Sequence, residues 1–156
     1  MIYVRKGEIR DIPRMLELLD QVNLIHHKGR PDLFRHVTKY NQKDLEALIV
    51  SEDLLTFVGV DETDRVLGYG FCVMEQILGD PMLTDVKTLY IDDICVDEAC
   101  RGQHVGSAIY HAITAFAKEQ GCYRITLNVW ELNPTARAFY ESLGMKPLKT
   151  MMETIL

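Results

Sequence analysis

The pattern of apolar and polar positions in the first half of the chain predicts one strand and two helices. Ile2 to Arg5 is a short apolar-rich run typical of a strand. Asp11 is placed to cap a helix whose apolar residues recur at the 3.6-residue period, namely Ile12, Met15, Leu16, Leu19 and Val22. Asn41 to Ser51 favours a second helix, whereas His26 to Tyr40 fits either a loop or a short helix.

The second half of the chain reads as three strands followed by alternating helices and strands. The three strands are Leu54 to Val60, Val66 to Ile77 and Val86 to Val96, the first two joined by a polar turn. The later elements are a helix from Arg101 to Gly121, a strand from Tyr123 to Trp130, a helix from Asn133 to Leu143 and a strand from Met145 to Leu156. This order predicts one α/β (α+β) domain over residues 1–156.

The strand–helix–strand unit from Tyr90 to Trp130 indicates where a ligand binds. Such a unit makes its two strands parallel, with the helix packed on one face of the sheet. Ligands of these units sit at the strand-to-helix turn. The residues of that turn are Arg101, Gly102, Gln103, His104, Val105, Gly106 and Ser107.

This turn has the chemistry of a phosphate-binding loop. The first amides of a helix lack internal acceptors, and the helix dipole favours an anion there. Gly102 and Gly106 let a phosphate approach the backbone, and Arg101 adds a positive charge with a forked set of donors. An ordinary strand-to-helix turn fits the same residues, so the loop alone does not establish a function.

Composition and charge exclude several other classes of protein. Of the 156 residues, 47% are apolar and 26% charged, as in an ordinary globular domain. A net charge of −6 with no dense block of Lys and Arg argues against a nucleic-acid partner. No leader-like segment opens the chain and no apolar run approaches the ~20 residues of a membrane span, so we expect a cytoplasmic protein without membrane contact.

The cysteines and histidines predict neither disulfides nor a metal site. The four cysteines, Cys72, Cys95, Cys100 and Cys122, form no CxxC pair and are typical of reduced thiols in the cytosol. The five histidines, His26, His27, His36, His104 and His111, show no metal-ligand spacing. We therefore expect no metal cofactor.

Two motifs resemble signatures of the GNAT superfamily of N-acetyltransferases. Tyr90-Ile91-Asp92-Asp93-Ile94-Cys95-Val96, followed after four residues by Arg101-Gly102-x-x-x-Gly106, is similar to the superfamily's acetyl-CoA motif. Asn133-Pro134-x-Ala136-x-x-Phe139-Tyr140-x-x-x-Gly144-Met145 is similar to its second signature. The motifs stand in the right order and at about the right distance, and the order of elements fits over the whole chain.

The resemblance implies a fold and a cosubstrate. The fold is a central mixed, mostly antiparallel sheet flanked by helices, in which the parallel strands 86–96 and 123–130 splay apart to form the acetyl-CoA cleft. Acetyl-CoA is then the cosubstrate, and its pantetheine arm pairs with backbone groups of Ile94, Cys95 and Val96. Asn133 would bond a pantetheine amide, and the small Ala136 would leave room for the arm. Members of this superfamily often dimerise, which makes a homodimer an expectation.

His104 departs from the resemblance, because the superfamily has glycine at this position. A residue with a Cβ there leads us to expect ordinary helical or near-helical backbone angles at 104. The imidazole then either approaches a phosphate or lies on the surface.

The resemblance also implies catalytic residues. Tyr140 is the candidate general acid, two helical turns after Asn133 and on the same face. Tyr90-Ile91-Asp92-Asp93 is similar to the Tyr-Leu-Glu-Asp stretch of spermidine/spermine N-acetyltransferases, in which the acidic pair serves the amine and its proton. Asp92 and Asp93 are therefore candidate bases, directly or through water, although an ordinary salt bridge also fits them. Alternation along a strand puts their side chains on opposite faces.

Fewer features of the sequence point to the groups that stabilise the oxyanion and to those that line the amine site. The amide of Ile94 or Cys95 is the expected donor to the oxyanion. Glu75 and Glu131 are secondary candidates for lining the amine site.

Three functions remain open at this point. The favoured one is acetyl transfer from acetyl-CoA to a primary amine of a small molecule, such as a polyamine, an aminoglycoside or an amino-acid-like compound. The alternatives are a protein lysine or N-terminal acetyltransferase and a non-catalytic acyl-CoA-binding sensor. The chain shows no evident extension for docking a peptide, which favours the small molecule.

Overall fold

The computed structural model describes all residues from 1 to 156. Its strands are β1 (Tyr3–Lys6), β2 (Leu55–Val60), β3 (Val66–Gln76), β4 (Lys87–Val96) and β5 (Arg124–Leu127). Its helices are α1 (Ile12–Gly29), α2 (Gln42–Ser51), α3 (Val105–Glu119) and α4 (Pro134–Ser142), with short 3₁₀ turns at Ile9–Asp11 and Glu98–Cys100. None of the helices is long and apolar enough to span a membrane.

The sheet is mixed and mostly antiparallel, as predicted, and its five strands lie in the order β1-β2-β3-β4-β5. The pairs from β1 to β4 are antiparallel, and β4 pairs with β5 in parallel. The parallel pairing joins only four rungs, from Thr88 with Arg124 to Ile91 with Leu127. Beyond Ile91, the edge of β4 that faces β5 is open.

Helices cover both faces of the sheet. On one face, α1 and α2 pack on the strands through a core that includes Leu18, Leu45, Val58, Tyr69 and Phe71. On the other face, α3 contributes its buried stripe of Val105, Ile109, Ile113 and Ala117, which packs on strand residues such as Leu89 and Ile91. The sheet is therefore the middle layer of three.

The ends of the helices follow from short polar contacts. Asn41 caps α2, since its side chain accepts a hydrogen bond from the amide of Asp44 at 2.9 Å. Asp11 precedes α1 as predicted but does not cap it. Its carboxylate accepts instead from the amide of Glu8 at 2.8 Å and from the Arg5 guanidinium at 2.8 and 3.0 Å.

Three predicted boundaries differ from the structure. Helix α1 continues to Gly29 and so includes the first residues of the ambiguous 26–40 segment, while β5 ends at Leu127 rather than at Trp130. The predicted final strand from Met145 to Leu156 is wrong, because this segment has no strand of its own chain beside it. A strand forms only where a neighbour accepts its ladder of hydrogen bonds.

Candidate active site

The site is built around the fork where β4 and β5 part. At the last paired rungs, the side-chain amide of Asn128 donates to the hydroxyl of Tyr90 at 3.1 Å. No rung joins the residues after β5 to β4, and Trp130 packs edge-on against Phe34, with ring centroids 4.9 Å apart. Peptide groups of Ile94, Cys95 and Val96 consequently face an open gap on this side, while their other edge pairs with β3. This geometry fits the splayed cleft that the resemblance implies.

A β-bulge lies in the middle of β4 at the acidic pair. Phe71 of β3 pairs with Asp93, but the next residue, Cys72, pairs with Ile91, so Asp92 is an extra residue without a partner. Bulges of this kind redirect side chains and are common beside active sites. Here the bulge reverses the alternation of β4, since Ile91 belongs to the core under α3 and Cys95 to the core under α1.

The predicted placement of the two aspartates on opposite faces is therefore wrong. Asp92 accepts hydrogen bonds from Lys39 Nζ at 2.6 Å and from the Tyr40 hydroxyl at 2.9 Å. Asp93 accepts one from the Tyr69 hydroxyl at 2.5 Å. Tyr40 packs against the core under α1 and α2, and Tyr69 is part of that core, so both carboxylates are directed to the same face. The sequence pattern missed this because a bulge becomes visible only through strand register.

Three aromatic rings hold the acidic pair in place. Tyr69 stacks on Phe71 with ring centroids 4.1 Å apart, and Tyr40 packs edge-on against Phe71 at 6.0 Å. The two tyrosines donate to the two aspartates, so each carboxylate is oriented by its own phenol. The sequence analysis did not select Lys39, Tyr40 or Tyr69. Only the register of β3 against β4 reveals Tyr69, and Lys39 and Tyr40 belong to the segment whose structure was ambiguous.

The environment of Asp93 prepares it to accept a proton. Burial raises the pKa of Asp93 to about 6, with the neighbouring charge of Asp92 adding to the rise and the Tyr69 hydrogen bond opposing it. A carboxylate with this pKa is ionised at neutral pH and still basic enough to take up a proton. Asp92, whose side chain is 10% exposed, forms the ion pair with Lys39.

Tyr140 of α4, in contrast, is in an environment that suits a proton donor. It is half-buried, and its hydroxyl makes no hydrogen bond within the chain. Burial raises the pKa of Tyr140 above its ordinary value, and the nearby carboxylate of Asp93 raises it further. The phenol therefore keeps its proton at neutral pH and has no competing partner for donating it, as a general acid requires.

Cys95 lies in the same region but is not prepared as a nucleophile. Its thiol is buried and donates to the carbonyl of Leu18 at 3.3 Å. Burial raises the pKa of Cys95 to about 12, so almost no thiolate forms at neutral pH. This argues against a covalent intermediate on the cysteine.

The predicted phosphate loop presents a row of free amides. The backbone N–H groups of residues 102–107 have no acceptor within the chain, and the first intrahelical bond of α3 runs from the Ala108 amide to the His104 carbonyl at 3.0 Å. Consecutive free amides at a helix N-terminus form a site for an anion. Gly102 takes a φ of +78°, a conformation that glycine adopts without strain.

Two further contacts fix the loop. Asp97 is buried at the end of β4, pairs with Arg14 of α1 and accepts from the amide of Ala99 at 3.1 Å. Burial alone would raise the pKa of Asp97, but these hydrogen bonds outweigh it and hold the pKa below its ordinary value. A Cβ at Gly106 would lie 3.0 Å from Phe139 and 3.4 Å from Val96, so the two predicted signatures pack against each other at this glycine.

The backbone of His104 contradicts the prediction. Instead of helical angles it has a φ of 63° and a ψ of 17°, the left-handed conformation in which glycine is favoured. The turn from β4 into α3 needs this conformation whichever residue occupies the position. The histidine side chain is exposed and caps no amide of α3.

His104→Gly is expected to stabilise the fold. Relief of the left-handed strain is worth about 1–2 kcal/mol, and the greater entropy of glycine in the unfolded chain offsets about 0.5–1 kcal/mol of it. Denaturant unfolding should show a net gain of roughly 0.5–1 kcal/mol. His104→Ala is the matched control, because it removes the imidazole and keeps the strain. An equal gain in both variants would show that the imidazole, and not the backbone, is the cause.

Of the other residues selected from the sequence, Asn133 can still contact a ligand, whereas Glu75 and Glu131 do not line the acidic pair. Asn133 caps α4, its side-chain oxygen accepting from the amide of Ala136 at 3.2 Å, which leaves its NH₂ group for a ligand. Glu75 pairs with Thr88, four residues along β3 from Phe71, hence roughly 13 Å from the acidic pair. Glu131 binds Arg137 at 2.9 Å. The structure therefore does not bring Glu75 to the amine site, and it engages Glu131 elsewhere.

The histidines, cysteines and carboxylates form no group of three or more that is placed to hold a metal ion. His26 instead stacks on Phe34 with ring centroids 4.9 Å apart, and Nδ1 of His27 donates to the carbonyl of Phe34 at 2.8 Å.

Comparison with known proteins agrees with this geometry. Over 140 residues, the chain is 28% identical to thialysine N-epsilon-acetyltransferase from Bos taurus, covering 90% of this chain and 75% of that protein. It is 27% identical over 143 residues to glucosamine 6-phosphate N-acetyltransferase 1 from Oryza sativa subsp. japonica, covering 90% and 79%. The crystal structure of a mutant BH1408 protein from Bacillus halodurans superposes with a TM-score of 0.94 over 99% of each chain at 34% identity.

The family comparison covers most of the molecule. The family model described as "Acetyltransferase (GNAT) family" matches residues 19–145, a range that contains the acidic pair, the phosphate loop and Tyr140. The predicted resemblance is thereby confirmed: the chain belongs to the GNAT family of acetyltransferases.

Proposed function

We propose that this acetyltransferase moves an acetyl group directly from acetyl-CoA to a primary amine of a small molecule. One observation carries the choice of acceptor: the ammonium group of Lys39 lies 2.6 Å from Asp92, beside the open edge of β4. Asp92 thus already holds an alkyl ammonium ion, with Asp93 next to it along the strand. The names of the two relatives, which act on thialysine and on glucosamine 6-phosphate, support a small amine as the acceptor.

The described residues fit acetyl-CoA in two places. The free amides of residues 102–107 suit the pyrophosphate, with Arg101 beside them. The open edge from Ile94 to Val96 suits the amides of the pantetheine arm, which can extend the sheet as a strand does. When bound there, the cosubstrate supplies an activated acyl group as a thioester.

We assign a role to each residue of the site, and the geometry described above supports the assignment. Asp92 binds the ammonium group of the acceptor, and Asp93 takes its proton, directly or through a water molecule. The neutral nitrogen would attack the thioester carbonyl and form a C–N bond, and the C–S bond would break as the resulting oxyanion collapses. The amide of Ile94 or Cys95 stabilises the oxyanion. Tyr140 donates its proton to the departing thiolate of coenzyme A. The acetylated nitrogen gives up its second proton, which returns Tyr140 to its neutral form, and the product is a neutral amide.

The two alternative functions predict different behaviour. A protein acetyltransferase needs a surface that receives a peptide, and a sensor needs acetyl-CoA binding without turnover. The raised pKa values of Asp93 and Tyr140, two groups near enough for the charge of Asp93 to raise the pKa of Tyr140, support an enzyme, because a binding module has no use for a paired base and acid. A homodimer, a cytoplasmic location and the absence of a nucleic-acid partner stay predictions from the sequence.

Lys39→Gln tests whether Lys39 competes with the acceptor. Removing the ammonium group from Asp92 should lower the KM of a cationic acceptor roughly fivefold, since a partly exposed ion pair is worth about 1 kcal/mol. The turnover number should change little. Lys43→Gln, on the exposed side of α2, is the matched control. A higher KM in the Lys39 variant would mean that Lys39 binds the acceptor and does not compete with it.

Thiol release from acetyl-CoA across a panel of amines tests the proposed function. The panel contains polyamines, aminoglycosides, amino acids with a side-chain amine, amino sugars and basic peptides. We expect turnover with a small primary amine and none with the peptides. Turnover with peptides alone would support the protein acetyltransferase, and tight binding of acetyl-CoA without any turnover would support the sensor.

A further inference from the structure

Lys39 occupies the position that the proposed function gives to the acceptor amine. Its Nζ lies 2.6 Å from the carboxylate of Asp92, the residue at the bulge of β4. The next residue, Tyr40, packs against the core on the face of the sheet to which both aspartates are directed. The chain therefore presents a primary amine of its own to the acidic pair.

Lys39 keeps its proton at neutral pH until a base removes it. Partial burial would lower the pKa of Lys39, but the hydrogen bond to Asp92 and the charges of both aspartates outweigh it and hold the pKa above its ordinary value. Only a neutral amine attacks a thioester, so acetyl-CoA in free solution reacts with Lys39 more slowly than with an exposed lysine. Asp93, the proposed base, lies close enough for its charge to act on the Lys39 ammonium group.

The amine of Lys39 can reach the expected position of the thioester. Asp92 precedes Ile94, a proposed oxyanion donor, by two residues, or roughly 7 Å along the strand. Lys39 has a flexible four-carbon stem and a side chain that is 55% exposed, so rotation of the stem moves Nζ over such a distance. The Tyr40 hydroxyl, which donates to Asp92 at 2.9 Å, keeps this carboxylate oriented when the ammonium group leaves it.

We propose that Lys39 is an internal acceptor, to which the site moves one acetyl group from acetyl-CoA bound to the same chain. Lys39 then uses the base, acid and cosubstrate of the proposed function, on which this inference rests. Asp93 takes a proton from the ammonium group, and Nζ attacks the thioester carbonyl to form a C–N bond. The C–S bond breaks as the oxyanion collapses, and Tyr140 protonates the thiolate. The second proton of the nitrogen restores Tyr140, and Asp93 releases its proton to the solvent. The products are N-acetyl-lysine and coenzyme A.

Acetylation of Lys39 changes the acidic pair for a free acceptor. The amide nitrogen of the product is neither charged nor nucleophilic, so the site takes up one acetyl group and no more. A neutral side chain no longer forms an ion pair with Asp92, which becomes available to the ammonium group of an external amine. The modification therefore activates the enzyme in the same way as Lys39→Gln.

Mass spectrometry of the chain after incubation with acetyl-CoA alone tests this inference. Starting from protein that carries no acetyl group, we expect the wild type to gain one, and digestion to place it on Lys39. Lys39 should react at least about a hundredfold faster than Lys43, an exposed lysine nearby, since a general base contributes at least about this factor. Asp93→Asn should remove the advantage and leave the slow reaction at Lys43 unchanged.

Two further measurements identify transfer within one chain and its effect. The rate constant for Lys39 should not change with protein concentration, because donor and acceptor belong to the same chain. Lys39→Arg keeps a cation beside Asp92 but offers no nucleophilic amine, so it should gain no rapid acetyl group. Prior incubation with acetyl-CoA should lower the KM of the wild type for a cationic acceptor roughly fivefold and leave that of Lys39→Arg unchanged. A KM that stays the same in both proteins would overturn the activating effect.

The outcomes distinguish self-acetylation from the proposed function. Turnover of a free amine with Lys39 unmodified overturns self-acetylation and leaves the proposed function intact. Acetyl groups spread evenly over the exposed lysines, or a rate constant that rises in proportion to protein concentration, also overturn it. Rapid acetylation of Lys39 without turnover of any free amine supports it and contradicts the proposed acceptor. Acetyl-CoA that binds but modifies neither Lys39 nor a free amine overturns both.

Discussion

Asp93→Asn lowers turnover by about two to four orders of magnitude at neutral pH, the range associated with loss of a general base. The variant keeps the size of the side chain and removes its capacity to take a proton. Asp92→Asn is the comparison, since Asp92 is assigned to binding the ammonium group. Its effect should appear mainly in the KM of the amine. Steady-state kinetics with varied amine at saturating acetyl-CoA distinguishes the two. Equal losses of turnover in both variants would contradict the division of roles.

The same substitution is expected to stabilise the fold. The pKa of Asp93 is about 6 in the folded chain against an ordinary value of 3.8, so the folded state binds more protons between these values. Ionising Asp93 therefore opposes folding, and the stability contributed by this group falls as pH rises from about 4 to about 6. At pH 7, Asp93→Asn should gain roughly 1–3 kcal/mol of unfolding free energy, and the gain should vanish below about pH 4.

Ionisation of Asp93, which lowers the stability of the fold, should raise the activity. Because only the ionised carboxylate accepts a proton, kcat/KM of the wild type should fall about tenfold per pH unit below roughly pH 6. The pH profile of the Asp93→Asn variant should lack this limb. An unchanged limb in the variant would assign the titration to another group.

Tyr140→Phe should lose about two to three orders of magnitude in turnover, with acetyl-CoA affinity unchanged. The substitution removes only the hydroxyl that donates a proton to the thiolate, and this hydroxyl has no other partner in the chain. Tyr3→Phe, on the exposed edge strand β1, controls for the loss of a phenol elsewhere. Calorimetric titration with coenzyme A checks that the cleft is intact. Full turnover in Tyr140→Phe would remove Tyr140 from the mechanism.

The fold and the cleft could be predicted because they depend on patterns within short stretches of the sequence or on the two motifs that resemble the superfamily. The pattern of apolar residues placed α3 and strands β1 to β5 within a few residues of their observed bounds, whereas the strand predicted over 145–156 is absent. The loop before α3 was found from its glycines and its position between strand and helix. Tyr140 was selected because it belongs to the motif that resembles the second superfamily signature.

The remaining features depend on contacts between distant segments. The bulge at Asp92 follows from the register of β3 on β4, so alternation alone gave the wrong faces for the acidic pair. Lys39, Tyr40 and Tyr69 reach the aspartates only after folding. The apolar pattern of residues 145–156 does indicate a strand, but this chain by itself offers that strand no partner.

Mass spectrometry of the amine after incubation with acetyl-CoA tests the central claim most directly. With the wild type, the best amine of the panel should gain one acetyl group for each coenzyme A released, while Asp93→Asn and Tyr140→Phe give little product over the same time. Acetyl-CoA that binds at the loop but acetylates no small amine, or product formed equally by all three proteins, would contradict the account.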